Sequence, residues 1–279
     1  MHQIRNLPEA QRFQVMAEGL VMMHEHIEYL NQDFEVLCEQ GRFRSAAILR
    51  AFADEEAAKV MILLDVARAG WGNHQRVEKL LKQAIYHHLS RGLYVRVYEG
   101  RPASMQEVRE FVNRMREKLY LDGPNSFDWI FRNEIESSRE DLLYVDYIET
   151  EDGPYWSSPA AQERCVLDMS STIVNVALAL GRLGLLSTEG LKVIREMWHG
   201  QDVTDDTHWQ EIRRVNQDVL QAYSSRHDIE EWSREDVYSA LEHWCFPLFD
   251  VDLRQKQVTT EELSEMRNAL FNQEFGDWA

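Results

Sequence analysis

Histidine and arginine occur close together at two places in the chain. Arg91 follows His88 by three residues in a predicted helix, and His74 follows Arg68 by six residues in a loop flanked by glycines. Near RNA, an imidazole can move a proton at the 2′-hydroxyl or the leaving oxygen, and a guanidinium can stabilise the charge that develops on the phosphate. Both pairs are therefore candidate sites of metal-independent RNA cleavage. A chain with ten histidines also contains such pairs by chance, and spacing alone leaves both readings open.

Glu56 is predicted to lie inside the apolar stripe of the second helix. At about 100° per residue it falls between Phe52 and Val60, and an ionised carboxylate there is costly unless it is paired. If the first two helices form an antiparallel hairpin that turns at Gly41, His24 lies almost opposite. We therefore predict a His24–Glu56 contact. It would be either a buried pair that fixes the register of the hairpin or a polar site that opens toward later helices.

Three more side chains are predicted to join this polar cluster. Asn31 lies on the same face of the first helix as His24. Glu55 and Lys59 lie beside Glu56 and are four residues apart from each other. A Glu–Lys pair at this spacing is by itself a common surface salt bridge that contributes little. We predict structural roles for His24, Asn31 and Glu55.

The pattern of apolar residues predicts a mainly α-helical fold. Apolar residues at alternating steps of three and four run from Phe13 to Leu37 and form a heptad seam, which predicts a long first helix that begins near Pro8. A second helix over about 43–69 would complete an antiparallel hairpin. Further helices are predicted over about 75–99, 104–119, 160–186, 188–198, 205–224, 233–243 and 260–275.

A β-hairpin is predicted near residues 143–158, with its turn at Glu151-Asp152-Gly153. Because the sequence pattern changes near residue 120, we predict two parts. Residues 1–120 would form a helical bundle. Residues 121–279 would form a helical extension that contains the hairpin and either packs on the bundle or is a second domain.

The chain is strongly acidic, with a net charge of −18. An acidic protein repels nucleic acid at long range, so RNA binding would require a local basic surface. Residues 76–118 hold ten Lys and Arg against five acids, a net charge of +5. Lys82, Arg96 and Arg101 in this basic segment are candidate RNA contacts. The alternative is an ordinary solvated helix face.

Composition predicts a cytoplasmic protein. The cysteines Cys38, Cys165 and Cys245 are far apart and form no CxxC pair, which argues against a disulfide framework or a thiolate zinc site. The N-terminal residues lack the apolar run of a signal peptide, and the longest apolar stretch is too short to span a membrane.

No cofactor and no metal are expected. Glu196 and His199 have the spacing of a carboxylate metal motif, but a second pair of this kind is missing from the sequence. His227-Asp228 lies in a predicted turn, where Asp228 is better explained as a turn residue.

A set of motifs extends over the hairpin and the next helix. Gly41 and Phe43 precede the small-residue run 45–47, and the second helix carries the core Glu55-Glu56-Ala57-Ala58-Lys59. The segment His88-Leu89-Ser90-Arg91 places a basic residue three positions after a histidine. With these motifs, about residues 10–100 resemble the AbiV family of bacterial abortive-infection proteins within the larger HEPN group.

This resemblance implies an HEPN-like antiparallel helical bundle and a phage-defence or toxin-type protein. It implies action on RNA as a homodimer without metal, most simply as an endoribonuclease. Catalytic roles would then fall to His88 and Arg91 and to Glu56 and Lys59 of the helix core.

HEPN ribonucleases also carry an arginine and a later histidine with four to six residues between them. Arg68 and His74 match this motif, and the corresponding position before His88 is Lys82, a lysine in place of the arginine. The alternative function is a non-catalytic module, antitoxin-like or sensory, that binds a protein partner. That reading is favoured by the net charge of −18.

Overall fold

The first two helices form the predicted antiparallel hairpin. α1 (Glu9–Glu39) and α2 (Phe43–Ala69) are joined by a turn in which Gly41 adopts a φ of 69°. Glycine takes this left-handed conformation without steric cost. The heptad seam is buried along the first half of α1, where Phe13, Met16 and Leu20 lie in the core. Phe52 on α2 is an exception, since it was predicted to face inward and is exposed.

The computed structural model describes residues 2–118, 120–121, 129–130, 133–150, 153–159, 171–227, 229 and 232–275. Helices account for most of these residues, as predicted. No helix among them is both long and apolar enough to span a membrane. Cys165, Asp228 and Trp278 lie outside the described residues, and so do two residues of the predicted hairpin turn, Glu151 and Asp152.

The predicted helix over 75–99 is wrong, because the chain breaks it in the middle. α3 (His74–Lys79) continues into one π-helical turn, Leu80–Ala84, and α4 (His88–Gly100) begins after a short bend. The guanidinium of Arg91 donates to the carbonyl of Ile85 at the break, at 3.1 Å. A buried carbonyl without a partner would be costly, so this side chain compensates the interruption. As a result His88 lies at the start of a helix and not in the middle of one.

α5 (Met105–Met115) begins at the predicted cap, where the hydroxyl of Ser104 accepts from the backbone N–H of Glu107. A two-residue strand pair follows, β1 (Tyr120–Leu121) with β2 (Trp129–Ile130). Next come α6 (Glu134–Leu143) and the predicted hairpin, β3 (Asp146–Thr150) with β4 (Gly153–Ser157). Its register sets Tyr147 opposite Trp156.

The described residues of the last part of the chain are mainly helical. Residues 160–170 of the predicted helix over 160–186 lie outside the described residues. The last part contains α7 (Thr172–Arg182), α8 (Thr188–Met197), α9 (Trp209–His227), α10 (Arg234–His243) and α11 (Thr260–Phe275). α7 and α8 both contact α1 and α2, and one core includes residues from Ile4 to Leu253. The division at residue 120 stays a prediction.

A segment without regular structure, residues 245–256, joins α10 to α11. We call it the C-terminal strap. Its apolar side chains Leu248, Phe249, Val251 and Leu253 are buried. Backbone hydrogen bonds between Lys118 and Lys256 and between Lys256 and Arg116 attach it to the end of α5. The strap therefore lies beside the basic segment, residues 76–118.

Candidate functional site

Glu55 accepts hydrogen bonds from three side chains on two other helices. Its carboxylate is 3.0 Å from Nδ1 of His88, 2.8 Å from Nη2 of Arg91 and 2.9 Å from Nε of Arg139. Glu55 lies in the middle of α2, His88 and Arg91 lie at the start of α4, and Arg139 lies on α6. We call these four residues the Glu55 cluster.

Nδ1 of His88 lies between an acceptor and a donor. It is 3.0 Å from each oxygen of Glu55 and 2.7 Å from Nη2 of Arg91. When Nδ1 carries a proton it donates to Glu55, and Nε2 then presents a lone pair. When Nδ1 carries no proton it accepts from Arg91, and Nε2 then carries the N–H. Each tautomer has a partner, which is what a group that moves protons needs.

Glu55 is charged within this cluster. Burial by itself would raise the pKa of Glu55, but the hydrogen bond from His88 and the charges of Arg91 and Arg139 outweigh burial and lower the pKa. A carboxylate surrounded by donors stays ionised near neutral pH. It can therefore hold the imidazole of His88 in one orientation through Nδ1.

The members of the cluster differ in their access to solvent. The side chain of His88 is 48% exposed, while those of Glu55 and Arg91 are 17% and 10% exposed. Arg139 is intermediate at 27%. His88 can therefore meet a substrate, Arg139 can reach one, and Arg91 mainly positions its neighbours.

A pocket of about 520 Å³ opens beside His88. Tyr86 and His87 line it from the bend before α4, Glu136 from α6 and Arg254 from the C-terminal strap. Its volume lies within the range of small-molecule and cofactor sites. The pocket contains enough space for one residue of a polymer such as RNA beside the imidazole.

The predicted polar cluster around Glu56 does not form. Glu56 pairs with Lys59 on the same helix, and both side chains are partly exposed. Nε2 of His24 hydrogen bonds to the carbonyl of Leu178 at 3.2 Å, and Asn31 donates to Glu35 at 2.9 Å.

The predicted His24–Glu56 contact is therefore wrong. α7 packs against α1, and its Gly181 leaves room for the imidazole, since a Cβ there would come within 2.0 Å of His24 Cδ2. The prediction considered only α1 and α2, so it did not include the contact of His24 with α7. The carboxylate that collects partners is Glu55, the residue to which only a structural role had been assigned.

Arg68 and His74 do not form a site together. The side chain of Arg68 is 0% exposed and donates to Asp65, Asn216 and the carbonyl of Cys245. Its guanidinium also lies 4.3 Å from the ring centroid of Trp244. His74 is exposed at the start of α3. Arg68 is thus a buried structural group, and the prediction that it contacts RNA is not supported by this geometry.

The basic segment is largely neutralised by acids of the same chain. Arg76 makes two hydrogen bonds to Asp250 in the C-terminal strap, with Nε at 2.6 Å, and Arg116 pairs with Asp252 at 2.9 Å. Further pairs join Arg109 to Asp205, Arg96 to Glu99 and Lys82 to Glu78. Among the ten cations counted in residues 76–118, Arg76, Arg116 and Arg109 are thus paired with acids outside that segment, Asp250, Asp252 and Asp205. The strap also contains Arg254 and Lys256, so its own net charge is zero.

The residues considered for a metal site have other partners. Glu196 pairs with Arg226 at 2.8 Å, and His199 lies 3.1 Å from Arg195. The ring of His227 packs 4.3 Å from that of Tyr223. Among the described residues, no group of three or more His, Cys, Asp and Glu side chains could hold a metal ion.

The sequence predicted two members of the Glu55 cluster as catalytic and missed one member entirely. Arg139 lies on α6, 84 positions after Glu55, outside the region of the predicted resemblance. No motif or spacing pointed to it, because its role depends on how α6 packs against α2 and α4.

A family comparison covers the whole cluster. The AbiV family model of the HEPN group matches residues 16–181, which includes α6 with Arg139 and reaches the end of α7. The match is longer than the predicted 10–100 and confirms the resemblance. Comparisons with curated proteins and with solved structures found no match. Because the family model covers more than half of the 279 residues, the chain belongs to the AbiV family of HEPN proteins.

Proposed function

We propose that this AbiV protein is an endoribonuclease that cleaves RNA without a metal ion, with His88 as its proton-transfer group. The observation that carries the proposal is the half-exposed imidazole of His88, which is held by the carboxylate of Glu55 beside a pocket of about 520 Å³. A solvent-accessible histidine oriented by a carboxylate is the arrangement that general acid–base catalysis uses.

The proposed reaction uses the 2′-hydroxyl of the RNA as the nucleophile. Nε2 of His88 removes its proton and the 2′-oxygen attacks the adjacent phosphorus. The bond from phosphorus to the 5′-oxygen of the next nucleotide breaks, this oxygen takes a proton from water, and the protonated His88 returns its proton to the solvent. The products are a 2′,3′-cyclic phosphate and a 5′-hydroxyl. Arg139 stabilises the charge on the phosphate. Glu55 and Arg91 act as positioning residues, because they hold the ring through Nδ1.

RNA contacts outside the cluster belong to the same proposal. Lys82, Arg96 and Arg101 stay proposed contacts, although the first two already pair with acids. Arg254 borders the pocket and is exposed. We further propose a homodimer, which the family implies, and a cytoplasmic location, which agrees with the free thiols of Cys38 and Cys245.

The experiment uses a single-stranded RNA and the same strand with 2′-deoxy nucleotides, each with excess EDTA. We expect the protein to cleave the RNA, to leave the deoxy strand intact and to produce cyclic phosphate ends. His88→Ala should abolish the cleavage. Cleavage of both strands, or cleavage that EDTA stops, would show that another chemistry operates.

A second function, binding of a protein partner without catalysis, is favoured by the neutralised basic segment. Arg76 and Arg116 are bound by Asp250 and Asp252 of the C-terminal strap, so they are engaged within the chain. If the folded protein neither cleaves nor binds RNA, this second function replaces the first.

A further inference from the structure

A second pocket lies at the opposite end of α4 from His88. It has a volume of about 190 Å³ and is bordered by α4, the loop that follows it, and the ends of α9 and α10. α4 begins at His88 and ends at Gly100, so at ~1.5 Å per residue the two pockets are about 20 Å apart along its axis. The second pocket does not belong to the Glu55 cluster.

Aromatic side chains are five of the eleven residues that line this pocket. They are Tyr98, Trp209, Tyr238, Trp244 and Phe246. Flat rings on several sides favour a flat ligand, because aromatic surfaces bind each other by stacking and edge contacts. The volume is below the range of ~300–1,000 Å³ that is usual for drug-sized ligands, which limits the enclosed part of a ligand to a single ring system.

One cation borders the pocket. In the described part of the chain Arg101 has no ion pair, whereas Arg96 and Arg109 on either side of it are paired with acids. Its side chain is exposed, and its backbone has a φ of 46°, the only positive φ of a described residue other than glycine. This left-handed conformation is the C-cap that ends α4. An available guanidinium at the edge of an aromatic pocket is suited to an anionic group such as phosphate.

Polar atoms inside the pocket walls have unused hydrogen-bonding capacity. Within the described residues, Nδ1 of His243 and Nε1 of Trp244 are buried without a hydrogen-bond partner. Burial, followed by the charge of Arg101, lowers the pKa of His243, so its ring is neutral near pH 7. The ring also makes a hydrogen bond with the backbone of Glu242, so one ring nitrogen stays available to a ligand. The one carboxylate in the wall, Glu242, is bound by Arg213 at 2.9 Å.

The pocket is held open by the fold. The backbone of Trp209 donates to the carbonyl of Ala103 at 2.9 Å, and the backbone of Met105 donates to that of Thr207 at 3.0 Å. Trp244 is fixed from behind by the buried guanidinium of Arg68. A site that is already formed requires little ordering when a ligand binds.

We propose that this pocket binds one nucleotide unit, with the base between the aromatic walls and the phosphate at Arg101. The unit is either a free mononucleotide or one nucleotide of a single-stranded RNA, since both present a heterocycle linked to a phosphate. Base stacking on aromatic side chains combined with an arginine is how proteins commonly hold single-stranded nucleic acid. Arg101 is one of the RNA contacts proposed above, and this pocket gives it a nucleotide site that does not require cleavage at His88.

The test is tryptophan fluorescence titration of the full chain with the four ribonucleoside monophosphates, the matching nucleosides and a short mixed-sequence RNA whose 2′-hydroxyls are methylated, so that the proposed reaction cannot cleave it. We expect a monophosphate or the RNA to bind. Arg101→Gly, which also relieves the left-handed backbone, should weaken that binding at least tenfold. Tyr238→Ala removes an exposed ring, so the fold is preserved, and should do the same. Arg226→Ala, at an exposed ion pair near the other end of α9, is the matched control and should bind like the wild type.

The two sources of the ligand are separated by the titration. Saturation by a monophosphate assigns a free nucleotide, and binding of the RNA alone assigns a nucleotide within a strand. If neither binds the folded wild type, or if both variants bind as the wild type does, the proposal is wrong. Binding of the monophosphates and cleavage of the RNA are measured separately on the wild type, so that failure of cleavage and failure of the pocket are told apart.

Discussion

Two groups of polar side chains on α2 have similar chemistry and opposite environments. In the middle of the helix, Glu55 accepts from His88, whose side chain is 48% exposed. Near its C-terminal end, Asp65 and Arg68 form an ion pair whose side chains are 2% and 0% exposed. Both groups join α2 to other parts of the chain through a carboxylate and a guanidinium. The difference in access indicates that the first group can act on a substrate and that the second can only stabilise the fold.

The buried group connects distant parts of the chain. Asp65 also accepts from the hydroxyl of Tyr94 at 2.8 Å and from the backbone of Leu248 at 2.7 Å. Arg68 reaches Asn216 on α9. Burial raises the pKa of Asp65 against the lowering effects of Arg68 and of these hydrogen bonds. Loss of any one partner would leave a buried polar group unsatisfied.

The largest effect is expected from Arg68→Met, which removes the buried cation but keeps much of its volume. Asp65 would then be buried without its countercharge, and the free energy of unfolding should fall by about 3–5 kcal/mol. Urea denaturation measures this change. Arg96→Met at an exposed pair is the control and should stay within about 0.5 kcal/mol of the wild type. A stable Arg68→Met protein that has lost cleavage would reverse the roles assigned to the two groups.

Asp54 and Glu55 are adjacent in the sequence, but their carboxyl groups have pKa values shifted in opposite directions. Burial raises the pKa of Asp54 to about 6 despite the nearby charge of Arg50, whereas the pKa of Glu55 is lowered. Between pH 4 and 6, approximately, folded Asp54 keeps a proton that the unfolded chain has released, so its contribution to stability falls as pH rises. Glu55 contributes stability above its ordinary pKa and loses it as pH falls.

In the wild type, Asp54 should lower the free energy of unfolding by about 1–3 kcal/mol as the pH rises from about 4 to 6. We expect this decrease to be absent in Asp54→Asn. Urea denaturation at pH 4, 5, 6 and 7 measures it. Glu55→Gln should change the profile in the opposite sense, with its loss of stability greatest at pH 7. If the free energy of unfolding of both variants changes with pH in the same way, the opposite pKa shifts of Asp54 and Glu55 are contradicted.

A smaller effect on activity is expected from Glu55→Gln. The neutral amide still fills the space, but it does not hold Nδ1 of His88 as the carboxylate does, so the cleavage rate should fall by about 10–100-fold, part of what a general acid–base group contributes. Glu56→Gln is the matched control, since Glu56 pairs only with Lys59 in the described structure, and its rate should stay within about twofold of the wild type. If the cleavage rate falls equally in both variants, Glu55 has no special role in positioning His88.

The smallest effect is expected from Lys82→Ala. Lys82 pairs with Glu78, which also pairs with Arg5, so its charge is already partly neutralised. RNA affinity should fall by no more than about threefold at physiological salt. A filter-binding titration measures it. A loss of a hundredfold would show that the basic segment binds RNA in spite of its internal pairs.

The helices could be predicted from the sequence because their apolar periodicity is local. The seam from Phe13 to Leu37 and the glycine at position 41 were sufficient for the hairpin, and the β-hairpin at 146–157 followed from its turn residues. The break before His88 was not predictable in this way, since no proline or glycine marks it. It depends on the side chain of Arg91, which satisfies the carbonyl of Ile85.

The site was predicted in part. His88 and Arg91 were identified from their spacing and from the resemblance, but the partner carboxylate was placed one residue away, at Glu56. Adjacent helical residues point about 100° apart, so the choice between Glu55 and Glu56 depends on which helices cover each face of α2. α6 covers the face of α2 that carries Glu55 and brings Arg139 to it from far along the chain. α7 provides the hydrogen-bond partner of His24, which therefore does not contact Glu56.

We propose that His88, and not the Arg68–His74 pair, transfers the proton in RNA cleavage. The most direct measurement is the single-turnover rate of RNA cleavage in EDTA by the wild type, His88→Ala and His74→Ala, each shown to be folded by circular dichroism. We expect His88→Ala to lose 10²–10⁴-fold, approximately the contribution of a general acid–base group, and His74→Ala to cleave at the wild-type rate. An unchanged rate in His88→Ala, or a loss confined to His74→Ala, would contradict the claim.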